Sequence, residues 1–431
     1  MLLKGLIRGL AGFCVLTALS GAASAATVLR VMFQGDPSWV ATYSEVKGRF
    51  EAANPGVQVQ MIYAPHDSFN EMFSAAAMAK QLPDILQLDG PYLANYVWSE
   101  YLRPIDKYID GNILADMTQS NVSQGTYPID KKLYAISLVD STVVLYANKK
   151  YLQDIGARIP TSVDDAWTKD EFESYLAKLA KLPGVKWPLD LMRGYGIKTE
   201  WVTYAFSPIL QSYGCDLISR TTWKAKGTLD SGPCIAAMTM MQNWVKAGWV
   251  VPQTAGTNQF FTGGNPAALA WGLAHKFYTQ AEPSMKANLI VLPLPKFGKT
   301  AVSPNATWIW GITRDANDPA LCGKFLSFLI KDLGYRQFIE TQTGVPGLKS
   351  FAAESPKYAP GGPLAIAYEQ ATKTAMPRPP HPAYPAITTA YMNAVDAILN
   401  GADVKKTLYT AATKIDDDIE ENAGYPPFAS K

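Results

Sequence analysis

Residues 133–148 read LYAISLVDSTVVLYAN. Two apolar runs of strand length are split by the polar stretch 137–141. This pattern predicts one long strand, interrupted where the chain crosses from one lobe to another. Upstream, TVLRVMFQ (27–34) is β-branched and apolar and predicts a first strand, ended by Gly35-Asp36-Pro37. Val40, Tyr43, Val46 and Phe50 then recur at helical spacing over 39–53. Asn54-Pro55-Gly56 is a turn, and VQVQMIY (57–63) alternates strictly, which predicts a second strand. A helix over 68–79, a short buried strand DILQL (84–88) and a helix over 92–100 follow. This β-α-β-α-β order with short links predicts an α/β fold with a mostly parallel sheet covered by helices.

Downstream of the crossing, helices are expected over 149–155 and 169–181, with Thr168 as N-cap of the second. Further helices are expected at 201–212 and 234–247, and strands at 289–292 and 306–312. Helices over 318–331, 335–342, 386–399 and 404–421 complete the chain, the last two after a proline-rich stretch. No internal repeat or low-complexity linker separates two halves. Two lobes that exchange the chain several times fit better than two consecutive domains. The expected lobes are 26–139 with 298–346, and 140–297 with 347–431.

The chain has 431 residues, enough for roughly two or three domains. With 18% charged and 11% aromatic residues it does not read as disordered. A net charge of +2 argues against a nucleic-acid partner, which rewards a basic face. Residues 1–25 carry Lys4 and Arg8, an apolar stretch over 10–19 and the small-residue site Ala23-Ser24-Ala25. That is the form of a secretory signal peptide cleaved after Ala25. Its apolar stretch is too short for a hydrocarbon core of about 30 Å. Cleavage would leave net charge zero and a soluble protein outside the cytoplasm, in the periplasm. Among the remaining cysteines, Cys215 with Cys234 is the candidate disulfide, worth roughly 3 kcal/mol by chain entropy. Cys322 lies in an amphipathic helical pattern and is expected to be a buried free thiol.

Catalytic and metal signatures are missing. The chain has no G-x-S-x-G, H-E-x-x-H, P-loop or G-x-G-x-x-G. His66, His275 and His381 are scattered, without carboxylates or cysteines at ligand spacing, so neither a metal nor a cofactor is expected. The acidic run at 416–421 reads as a solvated helix face, and the glycosylation sequons at Asn121 and Asn305 add little. Asp36, Asp67, Asp89 and Asp140 mostly follow strands, where α/β sheets place ligand contacts. A secreted glycoside-active enzyme, which needs two carboxylates about 5–9.5 Å apart, stays open at this point.

An ordered set of motifs resembles the extracellular solute-binding proteins of bacterial carbohydrate ABC transporters, the maltose-binding-like group. FEAANPGV (50–57) is similar to that family's F-x-x-x-N-P-G-V opening. PDIL (83–86) with Asp89 is similar to its third-strand segment, and LYAI with VLYANK resembles its Y-G-I-P…L-Y-Y-N-K crossover. Ala135, Ser137 and Ala147 depart from that pattern. FTGGNPAA (261–268), Gly344-Val345-Pro346 and RPPHPAY (378–384) resemble three later segments. The resemblance covers almost the whole chain after residue 25. It implies a two-lobed periplasmic-binding-protein fold of the class II type, with crossing hinge strands and a mostly parallel, helix-flanked sheet in each lobe. It also implies capture of a sugar, a di- or oligosaccharide, between the lobes, delivery to membrane permease subunits, and no chemistry on the ligand. A monomer is expected. A charged solute such as glycerol phosphate is the other binding alternative, and the neutral chain argues mildly against it.

A sugar ring has polar edges and apolar faces, so its site combines flat aromatics with a few placed polar groups. Asp89 and Asp140, each after an apolar strand and each at a cleft position in the resemblance, are the candidate hydroxyl acceptors. Arg378, in a proline-stiffened loop, is the candidate donor, because charge-assisted hydrogen bonds are the stronger kind. Asp36 and Asp67 are expected on the rim of the first lobe. Trp308 and Trp310 alternate with Ile309, so both face one side, either as a stacking wall or as core. Trp271, and Tyr195 and Trp201 beside a loop of the second lobe, are further stacking candidates. Trp98, Trp244 and Trp249 read as packing.

Overall fold

A computed structural model describes residues 26–35, 37–65, 68–137, 139–195, 198–256, 258–261, 266–274, 276–305, 307–342 and 344–428. The strands in chain order are β1 (Thr27–Gln34), β2 (Val57–Ala64), β3 (Ile85–Asp89), β4 (Ala135–Ile136), β5 (Val139–Asp140), β6 (Val143–Asn148) and β7 (Trp187–Asp190). They continue with β8 (Ala267–Leu273), β9 (Leu289–Leu292), β10 (Ser303–Asn305), β11 (Trp308–Ile312), β12 (Val345–Pro346) and β13 (Ala375–Pro377). A five-stranded sheet in the order β2-β1-β3-β11-β4 forms the first lobe, and a four-stranded sheet β7-β8-β6-β9 forms the second. The two-stranded ladders β10-β13 and β12-β5 lie along the connections between them.

The β-α-β-α-β opening folds as expected, with β1 parallel to both β2 and β3. The second sheet corrects the expectation of a mostly parallel sheet in each lobe. Only β7 and β8 run parallel there, whereas β6 is antiparallel to β8 and to β9. The reason lies in the crossing. β6 carries the chain away from the hinge, while β8 and β9 both end beside its start. β11 is the counterpart in the first sheet: it brings the chain back, antiparallel to β3 and β4. Each lobe thus holds an incoming strand that opposes its neighbours, a common form of mixed sheet.

The stretch 133–148 is not one interrupted strand but three short ones, β4, β5 and β6, each with a different partner sheet. Its buried backbone therefore finds hydrogen bonds in turn from the first lobe, the hinge and the second lobe.

Local signals act as the sequence anticipates. Thr168 caps the helix Lys169–Leu179 through a full capping box with Glu171. A cap not read from the sequence is Asp318, which lies just before the helix Pro319–Lys331 instead of inside it and accepts from the Leu321 N–H. Phe33, Phe50, Tyr43 and Trp310 pack into the core between the first sheet and its outer helices. A second, larger core runs from the other face of that sheet into the second lobe. Cys215 and Cys234 are disulfide-bonded with Cα atoms 5.7 Å apart, and Cys322 is free and buried. Trp244 is buried in the second lobe, its Nε1 donating to Glu173 at 2.9 Å.

The C-terminal helix Val404–Glu421 packs on the second lobe, yet the residues after it reach the first. Trp98 Nε1 donates to the Pro426 carbonyl at 2.9 Å, and its ring lies edge-on to Tyr425 at 4.9 Å. The Phe428 ring sits 5.8 Å from Tyr127 of the first lobe, and 4.8 Å from His381 and 5.3 Å from Trp223 of the second.

Candidate functional site

Where the lobes face each other, β3 ends at Asp89 and β11 begins at Trp308, and these two residues are register partners. From the opposite side comes the loop after β13, stiffened by Pro377, Pro379 and Pro380, which presents Arg378. The Arg378 side chain is only 2% exposed. Its Nη2 pairs with Asp89 of the first lobe at 3.3 Å, and its Nη1 pairs with Glu200, the first residue of the second-lobe helix Glu200–Ser212. The guanidinium also lies 5.3 Å from the Tyr204 ring centre and 5.8 Å from that of Tyr384. Glu200 accepts further hydrogen bonds from Tyr384 Oη and, at 2.7 Å, from Thr388 Oγ1. Tyr92 meets Tyr384 edge-on at 5.4 Å across the lobes, and Asn95 Nδ2 donates to the Pro382 carbonyl at 2.8 Å.

The electrostatics follow from this packing. Burial raises the Glu200 carboxyl above its ordinary range, with Arg378 pulling against that and Asp89 reinforcing it. Burial works against the Arg378 charge, but Tyr384, Asp89 and Glu200 outweigh it and hold its pKa above the usual guanidinium value. A buried cation shared by two carboxylates from different lobes couples the position of one lobe to the other.

Asp140 sits deeper, at the hinge, and is 1% exposed. It accepts from the Ser120 hydroxyl and, at 2.8 Å, from the Ser141 N–H. Burial pushes its carboxyl up to about 7 against the pull of those two donors. Ser141 Oγ is hydrogen-bonded to Tyr204 Oη at 2.9 Å, which links Asp140 to the ring beneath Arg378.

Between the lobes and beside Arg378 lies a cavity of about 430 Å³, lined among others by Gly90, Gln124, Lys131, Asn305 and Pro377. That size is within the roughly 300–1,000 Å³ typical of small-molecule sites. The sequon residues Asn121 and Asn305 are 0% and 3% exposed, so neither is a surface glycosylation acceptor.

Of the residues singled out in the sequence, the fold brings Asp89, Arg378 and Trp308 into this region, whereas Asp140, expected as a hydroxyl acceptor, is instead a buried hinge carboxyl whose two oxygens already accept from Ser120 and Ser141. Trp308 is half-buried, its ring edge-on to Phe69 at 5.0 Å. Three stacking candidates go elsewhere and are corrected here. Trp310 is 1% exposed and lies edge-on to Tyr43 at 5.3 Å in the first core. Trp271 is 1% exposed, with Nε1 donating to the Ala205 carbonyl at 2.9 Å. Trp201 is 5% exposed, with Nε1 donating to the Leu191 carbonyl at 3.3 Å. In each case the ring fills a core and its one polar atom is already bonded, which is how buried tryptophans are accommodated. Asp36 and Asp67 lie outside the described residues, as does the Tyr195 side chain.

Sequence reasoning missed Glu200, Gln124, Asn305 and the tyrosines 92, 204 and 384. An acidic residue opening a helix was the signal at Glu200, but that signal alone reads as dipole complementarity. Among the described residues no group of three or more His, Cys, Asp or Glu could hold a metal ion. Among them, too, no helix is long and apolar enough to cross a membrane.

Comparison with known proteins places this geometry. Residues 45–364 match the model of a family described as bacterial extracellular solute-binding protein. A binding protein of Brucella abortus is 25% identical over 211 residues, 49% of this chain and 48% of its own, so the chain spans about half the length of that relative. The maltodextrin-binding protein MdxE of Bacillus subtilis is 24% identical over 309 residues, 68% of each chain. The maltose-bound MalE3 structure of T. maritima superposes with a TM-score of 0.75 at 18% identity, covering 91% of this chain and all of that one, and so shares the two-lobed fold. Residues 45–364, most of its length, match that family model, and with a cavity lying between its two lobes this chain belongs to the bacterial extracellular solute-binding proteins.

Proposed function

We infer that the chain captures an uncharged sugar, a di- or oligosaccharide, between its two lobes and delivers it to the permease subunits of an ABC transporter. The carrying observation is the cluster in which Arg378 bridges Asp89 and Glu200 from opposite lobes against the rings of Tyr204 and Tyr384, beside a cavity lined by apolar surface with a few polar groups. Ligand contacts to both lobes favour the closed arrangement, a population shift that needs no covalent step. In this reading Asp89 and Arg378 meet sugar hydroxyls, Trp308 offers a ring face, and Asp140 sets the hinge. Cleavage after Ala25 and a periplasmic, monomeric protein that does no chemistry on its ligand belong to the same reading. MdxE and MalE3, named for maltodextrin and maltose, support the choice of sugar class.

Thermal unfolding with a panel of mono-, di- and trisaccharides tests it. A sugar at 100 times its Kd should stabilise the protein by about 2.7 kcal/mol. Recovery of the sugar unchanged is expected. The absence of any stabilising sugar, or hydrolysis of one, refutes the reading.

A further inference from the structure

Three residues lining the inter-lobe cavity each carry a polar atom that is buried and has no hydrogen-bond partner among the described residues: Gln124 Nε2, Asn305 Oδ1 and Arg378 Nε. Native structures seldom leave such groups unpaired, and each one calls for an explanation. The orientation of both amides is dictated by their other ends. The Thr307 backbone N–H can only donate, so the Gln124 atom 3.0 Å from it is the oxygen Oε1, and the amino group is turned away. The Ser120 carbonyl can only accept, so the Asn305 atom 3.1 Å from it is Nδ2, and the carbonyl oxygen is turned away. Arg378 uses Nη1 and Nη2 on Glu200 and Asp89, leaving Nε over.

The two amides form adjacent rungs. Ser120 and Gln124 lie on one helix, Gln119–Gly125, four residues apart, and Asn305 and Thr307 are two residues apart on the facing chain. The two anchoring positions on that helix are thus about one turn apart, roughly 5.4 Å along its axis. Gly90 makes the arrangement possible, because a Cβ there would come within 2.4 Å of Gln124 Oε1.

We propose that Gln124 and Asn305, with Arg378 Nε, form a subsite that reads the hydroxyls of an uncharged polyol ring and rejects charged solutes. This rests on the sugar-binding reading and deepens it. A hydroxyl accepts from Gln124 and Arg378 and donates to Asn305, so a ring carrying two hydroxyls satisfies every unpaired atom. A carboxylate or a fully ionised phosphate ester only accepts, and would face the Asn305 oxygen without a proton to share. An ammonium only donates, and would leave both donors unpaired.

The test is isothermal titration of the full chain with maltose, maltotriose, trehalose and sucrose, and with glucuronate and spermidine as charged probes. Gln124→Glu keeps the oxygen that Thr307 needs while turning the free donor into an acceptor. It is expected to weaken the best-bound neutral sugar about tenfold or more, with the far-ultraviolet spectrum unchanged. Monodeoxy analogues of that sugar supply a readout that a merely structural role would not move. The penalty should vanish for the analogue lacking the hydroxyl that Gln124 reads and persist for the others. An unaltered Kd in Gln124→Glu, or one equal penalty for every analogue, overturns the subsite and leaves sugar binding standing. Tight binding of glucuronate or spermidine with none of the neutral sugars overturns both.

Discussion

Asparagine in place of Asp140 should make the protein more stable at neutral pH and leave it unchanged in acid. The carboxyl is buried at the hinge, and its pKa rises from 3.8 to about 7. Between those values the folded protein holds a proton that the unfolded chain releases, so stability falls as pH rises through this window. Each pH unit is about 1.36 kcal/mol, which makes the full cost about 4 kcal/mol above pH 7. With an unfolding entropy of roughly 2.1 cal/mol/K per residue, a chain of this length loses about 5 °C in Tm. His381 works in the opposite direction. Burial lowers its pKa from 6.5 to about 4, so it is a source of stability that grows as pH rises between those values. The wild-type profile alone would therefore blur the two effects. The Tm of Asp140→Asn minus that of wild type cancels His381, and should climb from zero near pH 4 to about 5 °C at pH 8. Calorimetry at half-unit steps provides the curve. A flat difference would refute the assignment of Asp140 as a neutral, buried hinge acid.

Breaking the Cys215–Cys234 bridge with Cys234→Ser should lower stability by roughly 3 kcal/mol in urea denaturation, and an unshifted midpoint would show that the bridge constrains nothing. Trp271→Ala should cost about 3–5 kcal/mol in any medium, because it empties a core site. Trp308→Ala should cost less and should abolish most of the sugar-induced Tm rise; the reverse ranking would return Trp308 to the core. Phe428→Ala should lower Tm and enlarge the unliganded protein in small-angle scattering, since its ring packs on both lobes at once.

The elements with strong local signals were legible. Thr168 announced its helix, and the alternation in 57–63 announced β2. Three-residue strands such as β10 and β13 carry no periodicity, and their pairing joins segments about 70 residues apart, so nothing local marks them. The same limit governs the site. Asp89 ends an apolar strand and could be found, whereas Glu200 becomes a site residue only because Arg378, 178 positions away, folds onto it. Tryptophan number was a poor guide for a related reason. A strand with helices over both sheet faces shows no polar side, so spacing could place Trp308 and Trp310 on one face without telling which end of β11 lies open.

The C-terminal segment on Trp98 and Tyr127 has a practical consequence. A fluorophore on the exposed Pro427 sits where the tail meets both lobes. One on the exposed turn at 298–300 rides on the second lobe, because the Thr300 carbonyl is hydrogen-bonded to Ser212 of that lobe and the turn does not belong to the first lobe as expected. Ligand-driven motion should therefore change the emission of the first label and spare the second. The segment 425–428 is thus a ready site for an optical reporter of whatever solute this protein carries.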